Sequence, residues 1–240
     1  EENKRRISDW LNDHKEELTD QEHTFVQYHT DLVTDPIPYF YLLMKVHKTP
    51  LKTRPIVSFS GSLYHSLGVW IDTHLQHVAK SFPSYIESSF DLLQDFKNLH
   101  LPQGCRLFTA DATSMYTNID TNVAIAAIRD YIIAHQSKFP LLPVTPLTDA
   151  LELIMNHNIF QFGDTFWKQL SGTAMGAPPA PTYANASFAT HEAILLPRYT
   201  SCLAYYKRYI DDIFGIWIPH PNSNIDTELW MQFQQDLNDW

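Results

Sequence analysis

The sequence contains little cysteine, no long apolar run and none of the common short catalytic motifs. Only two of its 240 residues are cysteines, Cys105 and Cys202, so a disulfide scaffold and a cysteine-rich zinc site are both excluded. No stretch of eighteen apolar residues occurs, and a membrane-spanning helix is therefore not predicted. A Walker phosphate loop, a Gly-x-Ser-x-Gly elbow and a His-Glu-x-x-His pair are absent as well.

The composition is that of a folded chain. Hydrophobic residues make up 44% of the sequence and aromatic residues 13%, which excludes a disordered protein. The chain begins without methionine and ends at Trp240 inside a helical pattern, so we expect a piece of a longer protein. The sequence gives no indication of the oligomeric state.

The net charge of −10 is concentrated at the two ends. Residues 1–35 carry ten acidic and four basic side chains, and residues 218–240 carry four acidic and no Lys or Arg side chains. The segment between them is balanced, with a local basic run of Lys45, Lys48, Lys52 and Arg54. Because the local field decides whether phosphate binds, the acidic total is a weak objection to a nucleic-acid partner.

Strand and helix patterns alternate irregularly, which favours an α+β fold over regular βαβ units. The predicted helices are 7–21, 63–80, 87–98, 121–135, 147–157 and 182–196, with a proline-rich rigid loop at 140–146. The predicted strands are 39–44, 55–59, a buried strand at 106–110, a hairpin of 159–162 and 165–168, and a pair at 203–210 and 213–218.

Three carboxylates stand where strands end. Asp211 and Asp212 lie between two apolar strands, and Asp111 follows the strand at 106–110. An ordinary polar turn would explain the Asp pair alone. If the strands are neighbours, however, the three carboxylates converge and suit two Mg²⁺ ions about 3.5–4 Å apart.

Four ordered motifs resemble those of reverse transcriptases. They are Tyr209-Ile210-Asp211-Asp212, the segment from Asp111 to Ile119, the segment from Gly172 to Asn185, and Met44-Lys45-Val46-His47-Lys48 followed by Arg54-Pro55-Ile56. The pattern is most similar to reverse transcriptases of Penelope-like retroelements, which are relatives of telomerase. The resemblance covers about residues 39–218.

This resemblance implies a right-hand polymerase fold of fingers and palm, with an antiparallel palm sheet and packed helices. We predict an acidic helical extension at 1–38, a fingers-type segment at 39–100, and a palm at 101–240 with a fingers-like insertion at about 120–170. The palm is expected to stop after the catalytic hairpin, and the thumb to be missing.

The resemblance also implies roles for individual residues. Asp111, Asp211 and Asp212 would be the catalytic metal ligands for two Mg²⁺ ions, with Mn²⁺ as a possible substitute. Tyr116 would exclude a 2′-hydroxyl, and Gln169 would support the neighbouring loop. The predicted nucleotide-binding residues are Lys45, Arg54, Ala112, Tyr116, Gln169, Met175 and Gly176. The predicted nucleic-acid contacts are Lys48, Lys52, Lys207 and Arg208.

Plainer interpretations remain open for several of these residues. Lys48 and Lys52 could form a solvated hairpin tip, and Tyr116 could be a packing aromatic. Lys207 and Arg208 could merely balance the charge of the Asp pair.

The implied function is an RNA-directed DNA polymerase that extends a DNA primer on an RNA template with dNTPs, located in the nucleus. A catalytically silent, domesticated nucleic-acid-binding module is the alternative. An RNA-templated RNA polymerase is a third possibility, which a bulky Tyr116 disfavours.

Overall fold

The computed structural model describes all residues from Glu1 to Trp240. The helices are α1 (Glu2–Asp13), α2 (Asp20–Asp31), α3 (His65–Lys80), α4 (Ser89–Lys97), α5 (Met115–Asn118), α6 (Thr121–Ala134), α7 (Val144–Asn156), α8 (Ala180–Leu195) and α9 (Ser223–Asn238). The strands are β1 (Tyr39–Lys45), β2 (Lys52–Ser58), β3 (Arg106–Asp111), β4 (Ile159–Phe162), β5 (Thr165–Lys168), β6 (Leu203–Tyr209) and β7 (Asp212–Trp217). All seven predicted strands are present, and the fold is α+β as predicted.

The strands form two sheets. One sheet has the order β2-β1-β4-β5, and the other has the order β3-β7-β6. The three-stranded sheet is antiparallel throughout. The four-stranded sheet joins two antiparallel hairpins through one parallel pairing between β1 and β4. No helix combines the length and the apolar character that crossing a bilayer requires.

The prediction of one N-terminal helix over 7–21 was wrong, because the chain breaks there into α1 and α2. Thr19 and Glu22 form a capping box that begins α2: the Thr19 hydroxyl accepts from the Glu22 amide at 3.3 Å, and the Glu22 carboxylate accepts from the Thr19 amide at 2.9 Å. These two bonds satisfy amides that a helix start leaves without partners.

Helix α7 begins three residues before the predicted start, inside the segment expected to be a rigid loop. Pro143 caps the helix, and Pro146 lies within its first turn. Proline is tolerated there because the first amides of a helix have no intrahelical acceptor.

Strand β3 is exposed, which corrects the prediction of a buried strand. It lies at the edge of its sheet and pairs only with β7. Leu107 is 68% exposed as a result. An apolar sequence identifies a strand, whereas the strand order decides which strand is covered.

The chain folds into two compact units. The first comprises residues 1–77 and 116–184, and the second comprises residues 78–115 and 185–240. In the first unit, Trp10 packs edge-on against Trp70 with ring centroids 5.1 Å apart, and its indole donates to the Pro146 carbonyl at 3.1 Å. The Trp70 indole donates to Glu22 at 3.0 Å, and the His74 ring lies 2.7 Å from the same carboxylate. These contacts tie α1, α2, α3 and the start of α7 together.

An aromatic cluster forms the centre of the second unit. Trp217 of β7 packs against Trp230 and Phe233 of α9, with ring centroids 5.0 and 5.5 Å apart. The Trp217 indole donates to Asp226 at 2.9 Å, and this hydrogen bond lowers the pKa of the Asp226 carboxyl. Helix α9 is thereby fixed to the three-stranded sheet.

Gly215 in β7 is paired with Phe108 in β3, and the Phe108 ring lies directly over it. A Cβ built on Gly215 would overlap that ring. We therefore expect Gly215→Ala to lower the free energy of unfolding by about 1–3 kcal/mol, because the ring must leave its place against α9. Urea unfolding measures this change.

Phe108→Leu in the same background is the control, since a shorter side chain should relieve the overlap and make the two changes non-additive. A Gly215→Ala protein as stable as wild type would contradict the close packing of Phe108 on Gly215.

Candidate active site

The β6–β7 hairpin places two carboxylates at its turn. Tyr209 pairs with Asp212, which leaves Ile210 and Asp211 as the two turn residues. Ile210 adopts φ = 54°. A β-branched residue rarely occupies this left-handed region, and holding it there costs on the order of 1–3 kcal/mol. The turn is therefore held in a strained conformation by its surroundings.

Asp111 lies beside this turn, as the sequence predicted. It pairs directly with Asp212 across β3 and β7, so the two side chains project from the same face of the sheet. The amide of Ala112 donates to the Asp211 carbonyl at 2.9 Å. Asp111 and Asp212 are exposed and Asp211 is half-buried, and none of the three carboxylates forms an ion pair with a Lys, Arg or His side chain.

Hard carboxylate oxygens in this arrangement fit a divalent cation such as Mg²⁺ by their chemistry. The side chains themselves are not gathered into a finished site: no group of three or more His, Cys, Asp or Glu side chains has the arrangement needed to hold a metal ion. Like charges on adjacent strands repel one another, which opposes such gathering by the protein alone.

The β1–β2 hairpin carries the basic run in the first unit. Lys45 pairs with Lys52, and Arg54 lies two residues further along β2, so all three side chains project from one face. Lys48 lies in the turn, where its amide donates to the Lys45 carbonyl at 3.1 Å. Lys48, Lys52 and Arg54 are exposed, Lys45 is half-buried, and none of the four is paired with an acid. Like charges opposite each other destabilise a hairpin, so this face favours an anion.

The loop that contains Met175 and Gly176 is joined to β2. The Val57 amide donates to the Met175 carbonyl at 2.8 Å, and the Phe59 amide donates to the Gly176 carbonyl at 3.4 Å. Gly176 has φ = 119°, and a Cβ on it would meet the Val57 carbonyl oxygen at 2.5 Å. Only glycine allows this approach.

The same loop is joined to α5 on its other side. The Tyr116 carbonyl accepts from the Thr173 amide at 2.7 Å. Gln169 accepts from the Asn158 side chain at 2.8 Å and donates to the Ser171 carbonyl at 3.1 Å. Six of the seven predicted nucleotide-binding residues therefore lie on connected segments of the first unit, namely Lys45, Arg54, Tyr116, Gln169, Met175 and Gly176. Ala112 and the three carboxylates belong to the second unit.

The prediction that Arg208 contacts nucleic acid is corrected by its burial. Its side chain has no exposed surface and is paired with Glu192 at 2.7 Å. Lys207, which alternates with it along β6, is half-buried and donates to the Pro83 carbonyl at 2.9 Å.

Sequence reasoning missed this buried cluster. Glu192 is fully buried and accepts from Tyr206 at 2.6 Å as well as from Arg208. Burial, followed by the charge of Glu192, raises the pKa of the Tyr206 hydroxyl well above its ordinary value. Two signals were available: Glu192 is the only Asp, Glu, Lys or Arg in α8, and Tyr206 and Arg208 share one face of β6 by their spacing.

Three solved structures with a similar fold are polymerases. A telomerase from Candida albicans in complex with a fragment of telomeric RNA is 11% identical over 90% of the chain and 43% of its own length, with a TM-score of 0.58. A Candida tropicalis telomerase truncated from its C-terminal domain is 12% identical over 90% of the chain and 50% of its own length, with a TM-score of 0.54. The BmCPV RNA-dependent RNA polymerase is 14% identical over 99% of the chain and 23% of its own length, with a TM-score of 0.59.

The chain thus has the fold of a nucleic-acid polymerase domain. The same fold occurs in telomerase, a reverse transcriptase, and in viral RNA polymerases. The chain spans half or less of the length of each of these proteins. No protein-family model and no curated protein sequence matches it, so the narrower resemblance to Penelope-like elements stays a prediction.

The close approach at Gly176 gives a prediction with a matched control. We expect Gly176→Ala to lower the melting temperature more than Gly61→Ala. Both glycines have positive φ, but a Cβ on Gly61 meets no atom within 4 Å. Gly61→Ala should cost only the backbone strain of about 1 kcal/mol, whereas Gly176→Ala must also separate the loop from β2.

Calorimetry on the two variants measures the difference. Equal losses of stability would mean that the loop does not depend on the contact with β2.

Proposed function

We propose that the chain is the catalytic domain of an RNA-directed DNA polymerase. It would extend the 3′-hydroxyl of a DNA primer on an RNA template, with dNTPs as substrates. The polymerase fold supports this class of reaction, and residues in the two units fit its chemistry.

The observation that carries the proposal is the position of the three carboxylates. Asp111 and Asp212 are direct neighbours on adjacent strands, and the Asp211 backbone is bonded to the residue after Asp111. Three negative charges with no basic side chain among them repel one another, and a bound cation would offset this repulsion. Nucleotidyl transfer needs divalent cations, and carboxylates at these positions would supply their ligands.

Asp111 and Asp211 would hold two Mg²⁺ ions, which Mn²⁺ could replace, and Asp212 would complete the set of ligands. When bound, such ions activate the attacking hydroxyl and offset the charge of the triphosphate. The protein contributes rigid ligand positions, since the Ala112 amide fixes the Asp211 backbone at 2.9 Å.

The basic face of the β1–β2 hairpin would bind the triphosphate. Arg54 offers a planar fork for two phosphate oxygens and Lys45 a compact charge. Lys52 and the exposed Lys48 in the turn would contact the template backbone, where each neutralised phosphate releases counterions. The Candida albicans telomerase with this fold is in complex with a fragment of telomeric RNA, which supports RNA as the template.

Nuclear localisation is part of the proposal because a polymerase that extends chromosomal DNA must reach it.

Removing a carboxylate tests the reaction directly. In primer extension by the full-length protein on an RNA template with Mg²⁺, we expect Asp211→Asn to lower kcat by about 10²–10³, the usual cost of one preorganised electrostatic group. Asp130→Asn is the matched control, because Asp130 is an exposed carboxylate on α6. Extension that survives Asp211→Asn unchanged would refute the assignment. No extension by wild type, with RNA binding retained, would favour a catalytically silent binding module.

A second candidate is an RNA-templated RNA polymerase, favoured by the similarity to the BmCPV enzyme at a TM-score of 0.59. The two candidates differ in the sugar of the incoming nucleotide. Tyr116 is half-buried, and its carbonyl accepts from the Thr173 amide at 2.7 Å, in the loop that also holds Met175. In the proposal, Tyr116 is the residue that would select the sugar.

If Tyr116 excludes the 2′-hydroxyl, Tyr116→Ala should reduce the preference for dNTP over rNTP by about tenfold or more, since one lost steric contact changes discrimination by about 1–3 kcal/mol. The ratio of kcat/KM for dCTP and CTP measures this preference. Tyr28→Ala, which alters an exposed ring on α2, is the control. A wild-type preference for rNTP would support the RNA polymerase instead.

A further inference from the structure

We propose that Arg208 and Glu192 are positioning residues, which fix the turn of the β6–β7 hairpin and thereby the backbone of Asp211. The inference rests on the proposed function for the reaction that the hairpin serves. Its physical basis is a set of contacts wholly within the second unit.

Every N–H group of the Arg208 guanidinium is used. Nε donates to Glu192 at 2.7 Å, and Nη2 donates to the same carboxylate at 2.9 Å and to the Asn185 carbonyl at 3.0 Å. Nη1 donates to the Asn185 side chain and to the Ile210 carbonyl, both at 2.6 Å. A guanidinium has five donors in a rigid planar fork, so this side chain has one orientation in which all five are satisfied.

Glu192 is held equally firmly. Its Oε1 accepts from the Tyr206 hydroxyl at 2.6 Å, and its Oε2 accepts from the Ser84 hydroxyl at 2.5 Å, in addition to the two bonds from Arg208. The centroid of the Phe188 ring lies 4.8 Å from the guanidinium carbon. Because both charged groups are fully buried and neither has a free bonding position, the pair cannot easily rearrange.

The bond from Arg208 to Ile210 connects this rigid cluster to the turn. Ile210 is the residue with φ = 54°, and it directly precedes Asp211. A strained residue keeps such a conformation only when its surroundings impose it. The backbone of Arg208 is also fixed, since its amide donates to the Ser84 carbonyl at 2.7 Å and its carbonyl accepts from the Ile86 amide at 3.2 Å. Arg208 therefore holds both the end of β6, through its backbone, and the Ile210 carbonyl in the turn, through its side chain.

Burial alone would also be consistent with a purely structural ion pair, and the test must separate these roles. Removing one partner of a buried pair is strongly destabilising, whereas replacing the whole set by apolar residues of similar volume is often neutral. We would therefore replace the cluster together, as Ser84→Ala/Asn185→Leu/Glu192→Met/Tyr206→Phe/Arg208→Met, in the full-length protein. This apolar variant keeps the core filled but lacks the bond to the Ile210 carbonyl.

Two measurements report on the hairpin. The first is amide hydrogen exchange at Ala112, whose N–H donates to Asp211; we expect it to be about tenfold faster or more, while the melting temperature stays near that of wild type. The second is a split of kinetic constants: kcat should fall by about a hundredfold, with KM for dNTP nearly unchanged, because the misplaced group is a catalytic carboxylate.

Arg106→Met is the matched control. Arg106 also pairs with an acid in this unit, Asp226, at 2.6 Å, but it lies at the end of β3 away from Asp111. It should lower stability without changing exchange at Ala112 or kcat.

An apolar variant that folds and shows wild-type exchange and kcat would overturn the proposal. If that variant does not fold, Arg208→Lys decides by the same measurements, since lysine keeps the buried charge but lacks the fork that reaches Glu192 and Ile210 together. If the wild-type protein does not polymerise, the proposed function fails, while the exchange measurement still tests the positioning role.

Discussion

The three-stranded sheet depends on a charge pair that has been removed from water completely. Each buried ion costs several kcal/mol of desolvation, and that cost is offset only when every lone pair and proton finds a partner. Arg208 and Glu192 meet this condition with Asn185, Tyr206 and Ser84. The arrangement is cooperative, because the loss of any member leaves a charge or a polar group buried without its partner. Such a cluster specifies one backbone geometry, which is what the turn would need if its carboxylates are the proposed metal ligands.

The charged residues of the proposed site have the opposite environment. Asp111 and Asp212 in the second unit, and Lys52 and Arg54 in the first, are exposed and remain unpaired. None of these groups uses its charge in an internal salt bridge, as a group that is proposed to bind a charged ligand requires. The acidic ends of the chain therefore say little about its partners, since the field that a phosphate or a metal ion meets is set by neighbours within about a Debye length of 10 Å.

The sequence predicted the local features well and the tertiary ones poorly. The hairpin of β4 and β5 was located to the residue, because alternation and a Gly-Asp turn are short-range signals. Asp111 was expected beside the Asp pair because the resemblance to reverse transcriptases assigns the three carboxylates to one site. The break after α1 was missed, although Thr19 followed by Glu22 three residues later is a capping-box pattern that can be recognised in the sequence. The exposure of β3 and the pairing of Arg208 with Glu192 could not be predicted, since both depend on which elements become neighbours in the fold.

The pairing of β3 with β7 also affects how the protein is made. Asp111 and Asp212 are partners in the sheet, yet about a hundred residues separate them along the chain. At a synthesis rate of about 5–20 residues per second, β3 leaves the ribosome roughly 5–20 s before its partner strand exists. During that interval an apolar strand with two unpaired edges is open to other chains. Expression of this domain should therefore depend on chaperones and on the rate of translation, even though β3 is paired with β7 in the finished fold.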